Sequence, residues 1–137
     1  MTVAVFDASV VVKWFVTDDR LAAPALMARE RYGAAAPRLI QIEVANALWK
    51  YVRIGVVPVE AAIEGVAVLD DVMELTPDDQ LLAEAQRLSV DIDHPIYDCL
   101  YLVLARDSRA SLITADRRLA SKGLEMGIET ILIGVDD

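Results

Sequence analysis

The chain opens on TVAVF (2–6), a short apolar run rich in β-branched residues that stops at Asp7. ASVVVKWFV (8–16) follows with no Gly or Pro break and fits strand or helix by pattern. A helix is expected there, because one strand over 2–16 would be unusually long. Residues 18–32 read as helical, with Pro24 near a helix start, and GAAAP (33–37) reads as a short buried strand. Between Pro37 and Ile54, Ile40, Val44, Ala47, Leu48, Tyr51 and Val52 recur at helical spacing, and Gly55 supplies the stop. Pro58 opens a helix to about Asp70, and VMELT (72–76) follows as a strand. Pro77 begins a further helix with Asp78 and Asp79 in its first turn. Asp93 is placed to cap a helix with Pro95 near its first position and Ile96, Cys99, Leu100, Val103 and Leu104 on its inner face. SLIT (111–114) is a strand, 116–126 a short helix and ETILIG (129–134) a last strand. Strands separated by helices predict an α/β sandwich with a mainly parallel sheet. The pattern does not contain the strand order.

No repeat, low-complexity tract or linker interrupts this succession, so residues 1–137 read as one domain. At 55% hydrophobic residues the chain has ample core material, which excludes a disordered segment. Charged residues such as Asp7 and Lys13 break the apolar runs well short of the ~20 residues of a membrane span. The N-terminus shows no basic region or small-residue cleavage site, and the lone Cys99 has no internal disulfide partner; a cytoplasmic protein is expected. Trp14, Phe15 and Trp49 are expected in the core.

Charge narrows the chemistry. A net charge of −9 has the wrong sign for holding nucleic acid by general electrostatics, so such a role needs a local basic patch or bound cations. Lys13, Lys50, Arg53, Arg117 and Arg118 are the candidates for such a patch, with solvent-exposed decoration the plainer account of each. A single His excludes a two-imidazole ribonuclease and makes a triad or a three-His zinc site hard to assemble.

Four acids occupy unusual places. Asp7 and Asp116 sit where predicted strands end, the rim on which parallel sheets bind ligands, although Asp also serves at such junctions as a helix cap. Asp98 lies within PIYDCLYLVLA, where apolar neighbours desolvate it, and a buried carboxylate must pair, bind metal or change its proton affinity. The plainer account is an acid in a first helical turn gaining from the helix dipole. Glu43 belongs to a polar stripe with Asn46, Lys50 and Arg53, a pattern that also suits a solvated helix face. If the four converge, their repulsion calls for a cation, and an all-oxygen donor set selects Mg²⁺ or Mn²⁺ over zinc. Such an ion activates water and steadies charge developing on a phosphoryl group. Ser9 and Thr114 adjoin the strand-end aspartates and are placed to orient a carboxylate or a water, or to serve as turn hydroxyls.

DAS at 7–9, EVANAL at 43–48, YDCLYLVLA at 97–105 and LITADRRL at 112–119 together resemble the PIN-domain family, and most closely its VapC-like toxin branch. The resemblance spans essentially the whole chain, and it is the ordered set of blocks that is specific. It implies a three-layer α/β/α sandwich, commonly dimeric, acting as a Mg²⁺- or Mn²⁺-dependent endoribonuclease. Asp7, Glu43, Asp98 and Asp116 would bind the metal, Ser9 and Thr114 would support them, and Asn46 is a weaker candidate. VapC-like members are toxins that cleave RNA and are held inactive by a cognate antitoxin. Some relatives carry a further acid where this chain has Leu119, which implies a lean metal site on that side. A non-catalytic PIN-fold module that binds RNA or protein is the alternative. A haloacid-dehalogenase-like phosphatase is disfavoured because the second Asp of its motif is Ser9 here.

Overall fold

A computed structural model describes residues 1–134, so the last three residues of the expected domain lie outside the described residues. Five strands form one parallel sheet: β1 (Val3–Phe6), β2 (Gly33–Pro37), β3 (Glu74–Thr76), β4 (Ser111–Thr114) and β5 (Thr130–Leu132). Their spatial order is β3-β2-β1-β4-β5. Seven α-helices accompany them among the described residues: α1 (Ala8–Val11), α2 (Ala22–Arg31), α3 (Leu39–Arg53), α4 (Val59–Val72), α5 (Leu82–Ile92), α6 (Ile96–Ser108) and α7 (Arg117–Glu125). Consecutive residues Ala4, Val5 and Phe6 of β1 and Leu112, Ile113 and Thr114 of β4 are all buried, so helices cover both faces of the sheet. The fold is the expected α/β sandwich.

Chain order reverses across the β1–β4 pair, because β1 leads outward to β2 and β3, and α5 and α6 then carry the chain back to the other side of β1. In parallel sheets this reversal opens a crevice beyond the carboxyl ends of the strands. The pairs Val5–Leu112 and Phe6–Ile113 set the register, and the Asp7 amide extends the ladder by donating to the Ile113 carbonyl at 3.2 Å. Asp7 and Thr114 are thereby brought to the same rim.

Several local expectations are corrected. The first helix is a single turn, α1, continued by a 3-10 turn over Val12–Trp14. The helix expected over 18–32 begins only at Ala22, and that expected at Pro77 is a 3-10 turn over Asp78–Gln80 before α5. Asp78 caps another element, its Oδ1 accepting the Leu39 amide of α3 at 3.0 Å. Asp93 does not cap α6. It ends α5 in the left-handed region (φ 52°), which Asp tolerates, and Pro95 occupies the cap position of α6. With only three residues between the helices, the turn consumes the residue that would have been the cap. Trp14 is buried and packs edge-on against Phe6, and Phe15 is partly buried. Trp49 is 52% exposed, with the Arg53 guanidinium 5.0 Å from its ring centre, so it is not core.

Candidate functional site

Asp7 is buried immediately beyond β1 and, although it stands at the N-cap position of α1, its carboxylate caps nothing. Ser9 holds it instead: Ser9 Oγ donates to Asp7 Oδ1 at 2.7 Å and accepts the Ala115 amide at 2.9 Å. Thr114, fully buried at the end of β4, lies 3.4 Å from Ser9 through its Oγ1 and accepts the Asp116 amide at 2.9 Å. The two hydroxyls thus stitch the end of β1 to the end of β4. Asp116 is exposed and is a genuine cap, its Oδ1 accepting the amides of Arg118 (2.8 Å) and Leu119 (3.3 Å). That bonding leaves the second carboxylate oxygen of Asp116 outside the cap. The Leu119 side chain is fully buried in the core.

Glu43 on α3 and Asp98 on α6 complete the acidic set. Glu43 is not on a solvated face: it is half-buried, and its Oε1 accepts the hydroxyl of buried Tyr101 at 2.5 Å. Asp98 is partly buried, and its Oδ2 lies 2.7 Å from Nε2 of buried His94. Asn46, one helical turn beyond Glu43, is exposed.

Proton affinities show that the acids share one field. Burial, with the charges of Asp116 and Glu43 adding to it, raises the Asp7 pKa to about 7 against the opposing hydrogen bonds from Ser9 and Thr114. Burial likewise raises Glu43, which feels Asp98 and Asp78 and is partly relieved by Tyr101. The Tyr101 phenol is pushed well above its ordinary value by burial and by Glu43, Asp7 and Asp98, so it stays protonated as a donor. Among the described residues, no three Asp, Glu, His or Cys side chains close into a ready metal cage. Asp7 feels the charges of Asp116 and Glu43, and Glu43 that of Asp98, without the four closing on one point. Hard oxygen donors in mutual repulsion, one of them buried, still suit a divalent cation that keeps part of its water shell.

A family model for the PIN domain matches residues 4–124. The chain belongs to the PIN-domain family. Among solved structures, PAE2754 of Pyrobaculum aerophilum is 27% identical, with a TM-score of 0.72 over 95% of this chain and 84% of that chain. A toxin–antitoxin complex from Klebsiella pneumoniae shares the fold at 22% identity and a TM-score of 0.62, over 82% of this chain and 86% of that one. VapC20 of Mycobacterium tuberculosis, described as a sarcin–ricin loop cleaving toxin, shares it at 16% identity and a TM-score of 0.70, over 88% and 95%. No curated protein sequence matches this chain.

Sequence reasoning missed two residues of this PIN-domain rim. Along the chain His94 reads only as a lone imidazole, too few for a His-based catalyst, and Tyr101 only as part of an apolar helix. In the fold both act on a carboxylate through one hydrogen bond. His94 is itself clamped, because Ser89 Oγ donates to its carbonyl at 2.6 Å and its amide donates to the Ser89 carbonyl at 3.1 Å. The four-residue spacing to Asp98 is the available signal for His94; Tyr101 meets Glu43 across 58 positions and gives none. Tyr101→Phe removes the only hydrogen-bond donor to the Glu43 carboxylate among the described residues. It is expected to weaken Mn²⁺ binding, read by calorimetry, about 10-fold or more. Unchanged affinity would show that the phenol does not orient Glu43.

Proposed function

We propose that this PIN domain is a metal-dependent endoribonuclease, the toxin of a toxin–antitoxin pair, that hydrolyses RNA phosphodiester bonds. The observation that carries the reading is Asp7, a buried carboxylate held by Ser9 at the β1–β4 crevice and raised to about 7 by burial and by neighbouring acids. No packing or capping role accounts for it. Asp7, Glu43, Asp98 and Asp116 would hold Mg²⁺ or Mn²⁺, which supplies a Lewis acid for the phosphoryl group and for the attacking water. Ser9 and Thr114 fix the Asp7 carboxylate and the β4 end against each other, Tyr101 orients Glu43, and His94 orients Asp98.

The residues 1–137 are read as one domain working in the cytoplasm; no helix among the described residues is long and apolar enough to cross a membrane. A cognate antitoxin and a second copy of the chain are the proposed protein partners. Support comes from an apolar groove of about 390 Å³ between α3 and α4, lined by Ala45, Trp49, Val52, Val59, Ile63 and Val66. Several of these side chains are exposed, Trp49, Val59 and Ile63 by more than half. The toxin–antitoxin fold relative is consistent with such a use.

The test is direct. Purified, antitoxin-free protein with Mn²⁺ is expected to cleave total cellular RNA or structured transfer RNAs, and EDTA is expected to stop it. RNA that stays intact in Mn²⁺ while still bound by the protein would replace this reading with that of a non-catalytic module.

A further inference from the structure

Beside the acids lies a cleft of about 630 Å³, lined among others by Ser9, Lys13, Lys50, Tyr51, Arg53 and Ala115. Its volume falls within the ~300–1,000 Å³ of small-ligand sites. Val12, Leu21, Ala47 and Ile54 add an apolar part to the lining. The cleft joins the acids directly, since Ser9 Oγ bonds Asp7 and the Ala115 amide bonds Ser9. We propose that this cleft is a nucleotide subsite, seating the base and phosphate that neighbour the scissile bond of an RNA strand. The proposal rests on the nuclease reading for its substrate and adds where the flanking nucleotide is held.

Three observations fit that occupant. In a chain of net charge −9, three cations line one cleft next to the acids. Lys13 is neutralised, donating to Asp19 Oδ2 and to the Tyr51 hydroxyl at 2.7 Å each. Lys50 and Arg53 have no ion-pair partner among the described residues and are exposed, but the Arg53 guanidinium stacks 5.0 Å from the Trp49 ring, so Lys50 is the charge left free for phosphate. Because the Tyr51 oxygen accepts from Lys13, its own hydrogen is left to donate into the cleft. An apolar lining with a phenol able to donate and a free ammonium at Lys50 matches a flat heterocycle carrying a phosphate. These groups do not match a second apolar protein surface, for which the α3–α4 groove is the better shape.

Two variants test the subsite with two substrates. Lys50→Glu inverts an exposed charge, and Ala47→Leu enlarges a lining side chain and narrows the cleft. Each is compared with wild type for binding a short labelled single-stranded RNA in Ca²⁺, for cleaving RNA in Mn²⁺, and for hydrolysing bis(p-nitrophenyl) phosphate, which has no base to seat. Lys50→Glu is expected to weaken RNA binding about tenfold and to flatten its salt dependence by ~0.7 for each phosphate no longer neutralised. Ala47→Leu is expected to raise KM for RNA and to leave the small diester unchanged. If both variants bind and cleave RNA like wild type, the subsite is wrong while the nuclease reading stands. If wild type cleaves neither substrate but Lys50→Glu and Ala47→Leu lose RNA binding, the subsite stands and the nuclease reading falls.

Discussion

Asp7→Asn is expected to lower Mn²⁺-dependent RNA cleavage by at least about 10²–10³-fold while making the metal-free protein more stable at pH 8. Both effects follow from one carboxylate. Asp7 is buried, its charged form is disfavoured by burial and by Asp116 and Glu43, and Ser9 and Thr114 compensate only in part. The asparagine keeps an oxygen to accept from Ser9 and removes the charge that no cation balances in the free protein. The gain should therefore vanish near pH 5, where Asp7 already carries a proton. Matched denaturant titrations at the two pH values read it. A stability gain equal at both, or cleavage within about tenfold of wild type, would remove Asp7 from its proposed role. Asp98→Asn is expected to silence cleavage as well, its amide oxygen still available to the His94 ring.

Without divalent ions, the fold itself is expected to weaken as pH rises through about 4 to 7. The Asp7 pKa is raised from 3.8 to about 7, so between those values the folded chain holds a proton that the unfolded chain has released. Stability from this group is thus fully present below the unfolded value and lost as pH climbs through the folded one. Raised Glu43 contributes with the same sign. A displacement of this size corresponds to on the order of 4 kcal/mol, or a Tm lowered by on the order of 10 °C. Adding Mn²⁺ at pH 7.5 should reverse the loss, by about 2.7 kcal/mol at a hundredfold excess over Kd. Calorimetric scans from pH 4.5 to 8 with EDTA and with Mn²⁺ decide the matter, since a metal-free profile that is flat or rises would mean that Asp7 is not strained in the folded state.

The same carboxylates show where sequence patterns reach their limit. Residue type and position mark all four acids, but each has a second ordinary account. Asp116 satisfies its account, because a strand-to-helix junction leaves amides that its oxygen can reach within three residues. Asp98 meets its account too, standing in the first turn of α6, and adds a contact with His94 that the account does not need. Asp7 and Glu43 do not meet theirs, and what separates them is a partner side chain, Ser9 and Tyr101 respectively. Trp49 goes the other way. Its helix has an inner face at Ile40, Val44 and Leu48, and the residue after Leu48 is turned about 100° off that face.

By itself the sequence determined the five strands, most of the helices, their alternation and the strand ends that precede Asp7 and Asp116, because apolar period, prolines and strand length act over a few residues. Tertiary structure decided the rest. Ladder pairing over about a hundred residues placed β4 beside β1 and made their ends one crevice. Packing of α6 against that sheet accompanies the meeting of Tyr101 with Glu43, 58 positions away, and the return of α3 over α1 gathered Lys13, Lys50 and Arg53 around one cleft. Contacts of that span are fixed by the joint burial of surfaces from distant segments, which no local period encodes.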